Sequence, residues 1–294
     1  MLISKKLKII VLAKQVPDTR NVGKDAMRED GTVNRSGLPA IFNPDDLNAL
    51  EQALRIKDQY PESTVTVLTM GPTRAEEIIK EGLYRGADDG YLLTDRAFAG
   101  SDTLATSYAL SCAVRKIGDY DLIIAGSQAI DGDTAQVGPQ VAEKLHVPQV
   151  TYVEEIMEVT DKYVVAKRRI ENGYEIVKSP LPSLLTVHSS AAPCRYRSAK
   201  LVMKYKHARS EMDRKSNPSK YDFLSSERDY LNIKTWSVED VSADVSQLGL
   251  FGSPTKVKSI ENVVFKVKES KTLTDDDAEI ESVVKELIAN HTIG

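Results

Sequence analysis

The stretch LIIAGSQAIDGDTAQVGPQVAEKL, residues Leu122–Leu145, carries the pattern on which the predicted fold depends. It opens with a short apolar run, Leu122–Gly126, which is typical of a strand buried on both faces of a parallel sheet. A polar turn with glycines follows, and Gln136–Leu145 then has the apolar spacing of a helix. Strand, turn and helix in this order are part of a βαβ unit, so the stretch predicts an α/β protein.

The same alternation of strand and helix precedes this stretch. Asn43 is expected to cap a helix that runs to about Gln59, because Pro44 suits a first helical turn, where an N–H group has no partner. Amphipathic helices that alternate with short apolar strands predict a parallel sheet of Rossmann-like type. The other predicted elements are the strands Lys8–Ala13, Thr64–Met70 and Asp89–Leu93, a helix from Gly71 to Arg85 and a helix Leu104–Ile117.

The pattern changes in the second half of the chain. Thr160–Val177 predicts a β-hairpin with Asn172-Gly173 as its turn, and Leu184–His188 predicts another strand. Ser210–Asp229 has few apolar residues, so we expect a loop or partial disorder there. The chain is expected to end in an extended arm whose last helix, Asp275–Asn290, has an apolar stripe.

Composition argues against several broad classes of function. The 294-residue chain has a formal net charge of -4, which disfavours a protein that mainly binds nucleic acid. No apolar run approaches the length of a membrane span, and the start of the chain lacks the pattern of a signal peptide. Two cysteines, Cys112 and Cys194, cannot build a disulfide framework, so we predict a soluble protein of the cytoplasm.

The loop that follows Gly126 is the most informative candidate for a ligand site. Ligands bind beyond the carboxyl ends of strands in an open parallel sheet, and this loop combines glycines, hydroxyls and an amide. Its backbone N–H groups could hold a phosphate, whereas the carboxylates of Asp131 and Asp133 would have to turn away from it. An ordinary turn, with Asp133 or Thr134 as a helix cap, explains the pattern equally well. The loop matches neither the dinucleotide nor the NTPase glycine motif.

Two further features bear on the chemistry. Lys14 directly follows a predicted buried strand, where its ammonium group could meet a phosphate or a flavin oxygen, or simply lie in solvent. The four histidines are scattered without the spacing of a metal site or a hydrolase. We therefore predict no catalytic residue and no metal ligand in this chain.

Several motifs in register resemble those of the electron-transfer flavoprotein beta subunits, in particular the bifurcating or nitrogen-fixation-associated type. They follow one another in the family's order over roughly the first two thirds of the chain. The motifs are KIIVLAKQVPDT (Lys8–Thr19), NPDDLNALEQAL (Asn43–Leu54), VTVLTMGP (Val65–Pro72), RGADDGYLL (Arg85–Leu93), GSQAIDGDTAQVGPQVAEKL (Gly126–Leu145), LPSLLTV (Leu181–Val187) and the pair Arg195-Tyr196.

The resemblance implies an adenine nucleotide α-hydrolase-like fold and an obligate heterodimer with an alpha subunit that carries its own FAD. It also implies that this chain binds an adenine nucleotide, either a structural AMP or a complete second FAD. The positions that match the family's nucleotide contacts are Leu12, Asn43, Pro44, Asp45, Asp46, Met70, Gly126, Ser127, Gln128, Ala129, Ile130, Asp131, Gly132, Asp133, Thr134, Ala135, Gln136 and Val137.

The form of the motifs favours FAD over AMP. KQVPDT and DGDTAQVGP resemble bifurcating members, in which FAD accepts a hydride from NADH and sends the two electrons along separate routes. AMP-binding members have a tyrosine at the position of Thr19, and the smaller threonine leaves room near the flavins. The implied function is electron transfer from NADH through flavins to a dehydrogenase, quinone or ferredoxin acceptor, with NADH oxidation only within a complex. The alternatives are a non-bifurcating subunit that holds AMP, and an ATP-binding or adenylating protein of the same fold.

The family's partner-docking loop follows Arg195-Tyr196, and the sequence departs from the family there. The family's anchoring leucine stands three residues after the tyrosine, where this chain has Ala199, with Leu201 nearby. Docking to an acyl-CoA dehydrogenase through that leucine is therefore in question, which leaves the identity of the acceptor open.

The resemblance also divides the chain into two parts. A nucleotide-binding domain is expected over residues 1–205. Residues 206–294 are expected to hold a partner-recognition segment, an apparent insertion at Arg209–Leu231 and a C-terminal arm that contacts the alpha subunit.

Overall fold

A ten-stranded sheet dominates the computed structural model, which describes residues 6–18, 39–255 and 272–289. The strands are β1 (Lys8–Leu12), β2 (Gln15–Pro17), β3 (Ala40–Phe42), β4 (Thr64–Met70), β5 (Asp89–Leu93), β6 (Leu122–Gly126), β7 (Gln149–Val159), β8 (Tyr163–Ile170), β9 (Gly173–Pro180), β10 (Ser183–Val187), β11 (Arg209–Ser210) and β12 (Asn232–Trp236). From edge to edge the order is β11-β12-β5-β4-β1-β6-β10-β7-β8-β9, while β2 and β3 form a separate antiparallel ribbon.

Eight α-helices accompany these strands within the described residues. They are α1 (Pro44–Gln59), α2 (Glu76–Arg85), α3 (Thr103–Ile117), α4 (Val137–Leu145), α5 (Ala199–Tyr205), α6 (Glu211–Ser216), α7 (Leu224–Glu227) and α8 (Asp277–Ala289). The α/β prediction is confirmed, including the mainly parallel sheet and the C-terminal helix. No helix among the described residues is long and apolar enough to cross a membrane.

The helices cover the sheet in two layers. Apolar side chains of α1 and α2 pack on one face, and those of α3 and α4 pack on the other. In β1, Ile9 and Val11 belong to the first layer, whereas Ile10 and Leu12 belong to the second. A strand buried on both faces needs apolar residues at consecutive positions, which is why β1 and β6 are continuous apolar runs.

The order in which strands are added to the sheet reverses beside β1, and this reversal positions the site. β1 lies between β4 and β6 and is parallel to both. From β1 the chain adds β4 and then β5 on one side of β1. It then crosses over β1, and β6 and β10 lie on the other side of that strand. The carboxyl ends of β1 and β6 therefore border the crevice at a topological switch point, where open α/β sheets bind ligands.

Some elements differ from the predictions. The 11-residue strand β7 is absent from the predicted elements, and it begins an antiparallel meander with β8 and β9. The sequence predicts a loop over Ser210–Asp229, but this stretch contains α6 and α7. Arg209 explains this order, because its guanidinium binds the carboxylates of Asp213 and Asp222.

The predicted domain boundary at residue 205 stays a prediction. Strands β11 and β12, which follow it, lie in the same sheet as the strands that precede it. β12 pairs in parallel with β5, with residues 234–236 opposite residues 91–93.

Candidate functional site

Three chain segments meet at the switch point. They are the end of β1 with Lys14, the start of α1 with Asn43, and the loop between β6 and α4, residues 127–136, called here the β6–α4 loop. The backbone N–H of Asn43 donates to the carbonyl of Lys14 at 3.0 Å, and the N–H of Ser127 donates to the carbonyl of Val187 in β10 at 2.8 Å. These bonds tie the segments to the edge of the rigid sheet.

Asn43 holds the β6–α4 loop rather than capping its own helix. Asn43 stands at the predicted N-cap position of α1, but its side chain makes no capping hydrogen bond, so the predicted capping bond is wrong. Instead its amide donates to the carbonyl of Gln128 at 2.8 Å, and its Oδ1 accepts the N–H of Ile130 at 3.2 Å. Asn43 is completely buried, so these bonds are made without competition from water.

The two carboxylates at the start of α1 bind the other two segments. Asp46 accepts the N–H of Lys14 at 2.8 Å and the N–H of Gly126 at 3.0 Å. Asp45 accepts the hydroxyl of Ser127 at 2.6 Å. Burial raises the pKa of Asp46 to about 7, although the hydrogen bonds from Lys14, Asn43 and Gly126 oppose the rise. A carboxyl group that joins three chain segments therefore titrates near neutral pH.

Gly126 is required because the start of α1 passes directly over it. A Cβ atom at this position would lie 2.4 Å from Oδ1 of Asp46 and 2.7 Å from the Cβ of Asp45. A Cβ atom at Gly132, by contrast, would have nothing within 4 Å, so this glycine faces open space. The close approach at Gly126 brings the β6–α4 loop against α1.

The β6–α4 loop presents backbone N–H groups that have no acceptor in the part of the chain that the structure describes. Asp133 and Ala135 both have positive φ, 48° and 53°, which a residue with a side chain rarely adopts. Alternation of such conformations turns successive N–H groups to one side and forms an anion-binding concavity. Within the described part of the chain, no acceptor pairs with the N–H groups of Thr134, Ala135, Gln136 and Val137.

The start of α4 adds to this concavity. The helix begins at Val137 with Gln136 at the capping position, so the alternative prediction of an Asp133 or Thr134 cap is wrong. Gln136 makes no capping bond, and its Oε1 accepts the hydroxyl of Thr103 at 2.9 Å. The first N–H groups of α4 are thus left for an anion, which a helix N-terminus favours.

Lys14 supplies the cation of the site. Its Nζ lies 2.6 Å and 2.8 Å from the two carboxylate oxygens of Asp131, so the ion pair bridges the end of β1 and the β6–α4 loop. The second loop carboxylate, Asp133, accepts a bond from the amide of Gln128 at 3.2 Å and is exposed. Leu12 and Met70 end β1 and β4 at the same edge of the sheet, Leu12 buried and Met70 partly buried.

The segment 195–205, called here the docking segment, is fastened to α1 by an arginine. The guanidinium of Arg195 donates to Glu51 at 2.9 and 3.1 Å and to Asp58 at 2.8 Å, and its backbone N–H also donates to Glu51. Burial alone would raise the pKa of Glu51, but the hydrogen bonds from Arg195 outweigh it and the pKa is lowered. Arg195 thus positions the docking segment.

The other predicted docking residues fall into two groups. Tyr196 is 96% exposed, and Ala199 at the start of α5 is exposed as well. Leu201 is only partly exposed, because it packs against the apolar layer under α1 and α2. Met203, which the sequence does not single out, is 64% exposed and lies one turn after Ala199 on the same side of α5.

Glu51 and Asp58 bind Arg195, and reasoning from the sequence misses both of them. Glu51 stands four residues after Leu47 in the apolar stripe of α1, and it is buried. A carboxylate inside an apolar stripe indicates a buried partner cation, and this signal could have pointed to an arginine elsewhere. Among the residues that the structure describes, no group of three or more His, Cys, Asp or Glu could hold a metal ion.

Comparisons with known proteins agree on one family. The family model for the electron transfer flavoprotein domain matches residues 30–213. The electron transfer flavoprotein subunit beta of Thermoanaerobacterium thermosaccharolyticum is 45% identical over 251 residues, which are 85% of this chain and 86% of the relative. The caffeyl-CoA reductase-Etf complex subunit CarD of Acetobacterium woodii has the same identity and coverage. Protein FixA of Sinorhizobium fredii is 39% identical over 290 residues, which are 96% of this chain and 92% of the relative.

Proposed function

The chain belongs to the electron transfer flavoprotein family, as a member of its beta-subunit group, and we propose that it binds FAD at the switch point. In this proposal the chain acts in a heterodimer with an alpha subunit that carries its own FAD. Electrons pass from NADH through the flavins to a partner enzyme, in an electron-bifurcating complex located in the cytoplasm. AMP as a structural ligand is the alternative for the same site.

One observation carries the proposal. Within the described residues the N–H groups of residues 134–137 have no acceptor, and the ammonium group of Lys14 binds Asp131 of the same β6–α4 loop. Main-chain N–H groups in a concavity, next to a helix N-terminus and a lysine, suit a phosphate or pyrophosphate. The residues therefore fit the phosphate part of an adenine nucleotide.

The chain's own residues bind and orient the ligand in this proposal. Asn43 holds the β6–α4 loop and Asp46 holds Gly126 directly before it, so the backbone of the site is fixed by the protein itself. When bound, FAD supplies the redox chemistry, which needs no acid or base from the protein. The absence of an evident catalytic residue in the sequence is consistent with that division of work.

The names of relatives suggest the kind of acceptor. One relative, from Anaerotignum propionicum, is named acryloyl-CoA reductase electron transfer subunit gamma and is 40% identical over 290 residues. Together with the caffeyl-CoA reductase complex subunit, it suggests that an acyl-CoA reductase accepts electrons from this chain's complex. The exposed Tyr196 and Met203 of the docking segment are the proposed contacts.

Flavin content tests the proposal directly. The chain would be purified with its alpha subunit, and flavin and AMP would be released and counted per heterodimer. Two FAD molecules and bleaching of flavin absorbance by NADH are expected. One FAD with one AMP would overturn the FAD assignment in favour of the structural-AMP alternative, and no bound adenine nucleotide in this chain would overturn the site itself.

A further inference from the structure

The Lys14–Asp131 ion pair places a negative charge inside the candidate nucleotide site. Its bidentate geometry, with both oxygens of Asp131 within 2.8 Å of Nζ, neutralises the cation that would otherwise meet a phosphate. The side chain of Asp131 is 24% exposed and that of Lys14 is 49% exposed, so the pair is partly shielded from solvent. Charges in such a position interact more strongly than charges in bulk water.

The segments that form the site contain few positive charges. Residues 12–14, 43–46 and 126–137 include one Lys or Arg, which is Lys14, and four aspartates, which are Asp45, Asp46, Asp131 and Asp133. Burial raises the pKa of Asp46, which reduces its charge near neutral pH, but Asp131 is held by a cation and Asp133 is exposed. A ligand with several negative charges therefore enters a site with an excess of carboxylates.

The favourable contacts that the site offers can stabilise only a small number of negative phosphate charges. The N–H groups of residues 134–137, which have no acceptor among the described residues, are dipoles, and they can bind one phosphate or the two singly charged phosphates of a dinucleotide. Each additional terminal phosphate adds negative charge and meets Asp131 and Asp133 on the same loop. Lys14 cannot offset that charge fully while Asp131 is bound to it.

We infer that the Lys14–Asp131 ion pair is a charge filter, which lets this site bind AMP or FAD and makes it reject ATP. The inference rests on the proposed function, because it concerns the same nucleotide site. It assigns Asp131 a role in specificity: the carboxylate competes with phosphates for Lys14 and repels those that carry more charge.

Nucleotide titrations test the charge filter. Heterodimer depleted of nucleotide would be titrated calorimetrically with AMP and with ATP, for the natural chain and for D131N. We expect the natural chain to bind AMP at least about tenfold more tightly than ATP, since unit charges a few ångströms apart in a partly shielded site interact strongly. In D131N, ATP should gain more affinity than AMP, so that the ratio falls about threefold or more.

Two further variants separate the filter from general effects of charge. K14Q should weaken the binding of both nucleotides, because it removes the cation from the site. D161N removes a carboxylate from the exposed turn between β7 and β8. This turn follows Val159, which contacts Tyr60 at the end of α1 opposite the site, so D161N should leave both affinities unchanged. Because all substitutions lie in this chain, a change in the ratio reports on its own site and not on the alpha subunit's flavin site.

Each outcome of the titrations supports or overturns the filter. Equal affinity of the natural chain for AMP and ATP, or an equal change of both in D131N, overturns the filter while leaving nucleotide binding intact. Failure of the natural chain to bind AMP, ATP and FAD at all overturns the proposed function, and the filter with it. Loss of the AMP preference in high salt would support the electrostatic origin.

Discussion

Helix α1 holds two regions of the molecule, and it holds them in different ways. At its start, Asn43 and Asp46 are buried. Asn43 binds backbone groups of the β6–α4 loop, and Asp46 accepts the N–H groups of Gly126 in β6 and of Lys14 after β1. In its middle, Glu51 binds Arg195 of the docking segment, whose side chain stays 31% exposed. Buried bonds to main-chain groups define positions closely, whereas an ion pair with an exposed partner is weakened by water and salt.

The difference suits the two proposed tasks. A nucleotide site needs its N–H groups in place before the ligand binds, since any reorganisation would reduce affinity. A docking surface can adjust to its partner, and ion pairs with partly exposed groups allow this. Substitutions in each region test whether the first is rigid and dependent on close packing, and whether the second is looser and dependent on charge.

The largest effect is expected from G126V. Its Cβ would overlap Asp45 and Asp46, which lie 2.7 and 2.4 Å from the Cβ position, so α1 or the loop must move. We expect a loss of about 3 kcal/mol in the free energy of unfolding, together with loss of bound nucleotide. Denaturant unfolding and the nucleotide content of the purified heterodimer measure the two effects.

G132V is the matched control in the same loop. Because no atom lies within 4 Å of its Cβ position, we expect less than about 1 kcal/mol of destabilisation and near-normal nucleotide content. Neither glycine has a positive φ, so backbone strain is not expected at either position, and the two variants differ in their packing against α1. Similar losses in the two variants would show that close packing against α1 is not what makes Gly126 necessary.

The central α/β unit could be predicted from sequence because its strands are buried on both faces. β6 is predicted with its observed bounds, since every one of its five residues is buried and the run is continuous. β7 could not be predicted in this way, because one side is exposed and its pairing shifts register between Val153 and Glu155, which breaks the alternation.

The sequence predicts that the site residues lie at one edge of the sheet, but it does not predict which bonds they make there. Asn43 looks like a helix cap because both a cap and a loop anchor need a polar side chain before the first helical turn. Asn43 acts as a loop anchor because its amide meets the carbonyl of Gln128. Gln128 is 85 residues away in sequence, so no local sequence pattern reveals this contact. The same holds for Glu51, whose partner Arg195 is 144 residues away.

The second prediction concerns pH and the buried Asp46. Its pKa is raised from 3.8 to about 7 by burial, so the folded protein keeps a proton that the unfolded chain has already lost. The resulting contribution to stability is therefore fully present below about pH 4 and is lost as the pH rises to about 7. We expect the free energy of unfolding of the natural chain to fall over this range, and we expect no such fall in D46N.

Paired unfolding curves of the natural chain and D46N between pH 4 and 8 measure this difference. Other titrating groups are common to both proteins and cancel in the comparison. Parallel pH profiles would mean that Asp46 titrates in the folded protein as it does in the unfolded chain. Water would then reach the carboxyl group at the start of α1.

A smaller effect is expected from E51Q in the second region. The amide cannot keep both hydrogen bonds and the ion pair with Arg195, and we expect a loss of about 1 kcal/mol that shrinks in high salt. Limited proteolysis should become faster within residues 195–205, while nucleotide content stays normal. E211Q breaks a pair whose side chains are 71% and 75% exposed, and it should change neither measurement. Loss of nucleotide in E51Q would instead show that the nucleotide site and the docking segment depend on each other.

The smallest effect on stability, and a selective effect on docking, is expected from M203D. Met203 is 64% exposed on α5, so its replacement should change the free energy of unfolding by less than about 0.5 kcal/mol. If Met203 replaces the anchor missing at Ala199, an aspartate there loses the apolar contact with the partner. Electron transfer to the proposed partner, an acyl-CoA reductase, should then require at least about tenfold more partner for half-maximal rate.

M212D is the control for this docking effect, because Met212 is 44% exposed on α6, outside the docking segment. Transfer to a small dye, which needs no docking surface, should be the same in both variants. If electron transfer to the reductase is slowed in M203D and not in M212D, the apolar contact with the partner lies on α5. This helix belongs to the docking segment that Arg195 holds by an ion pair. Equal losses with the reductase for M203D and M212D would mean that Met203 is not the anchor.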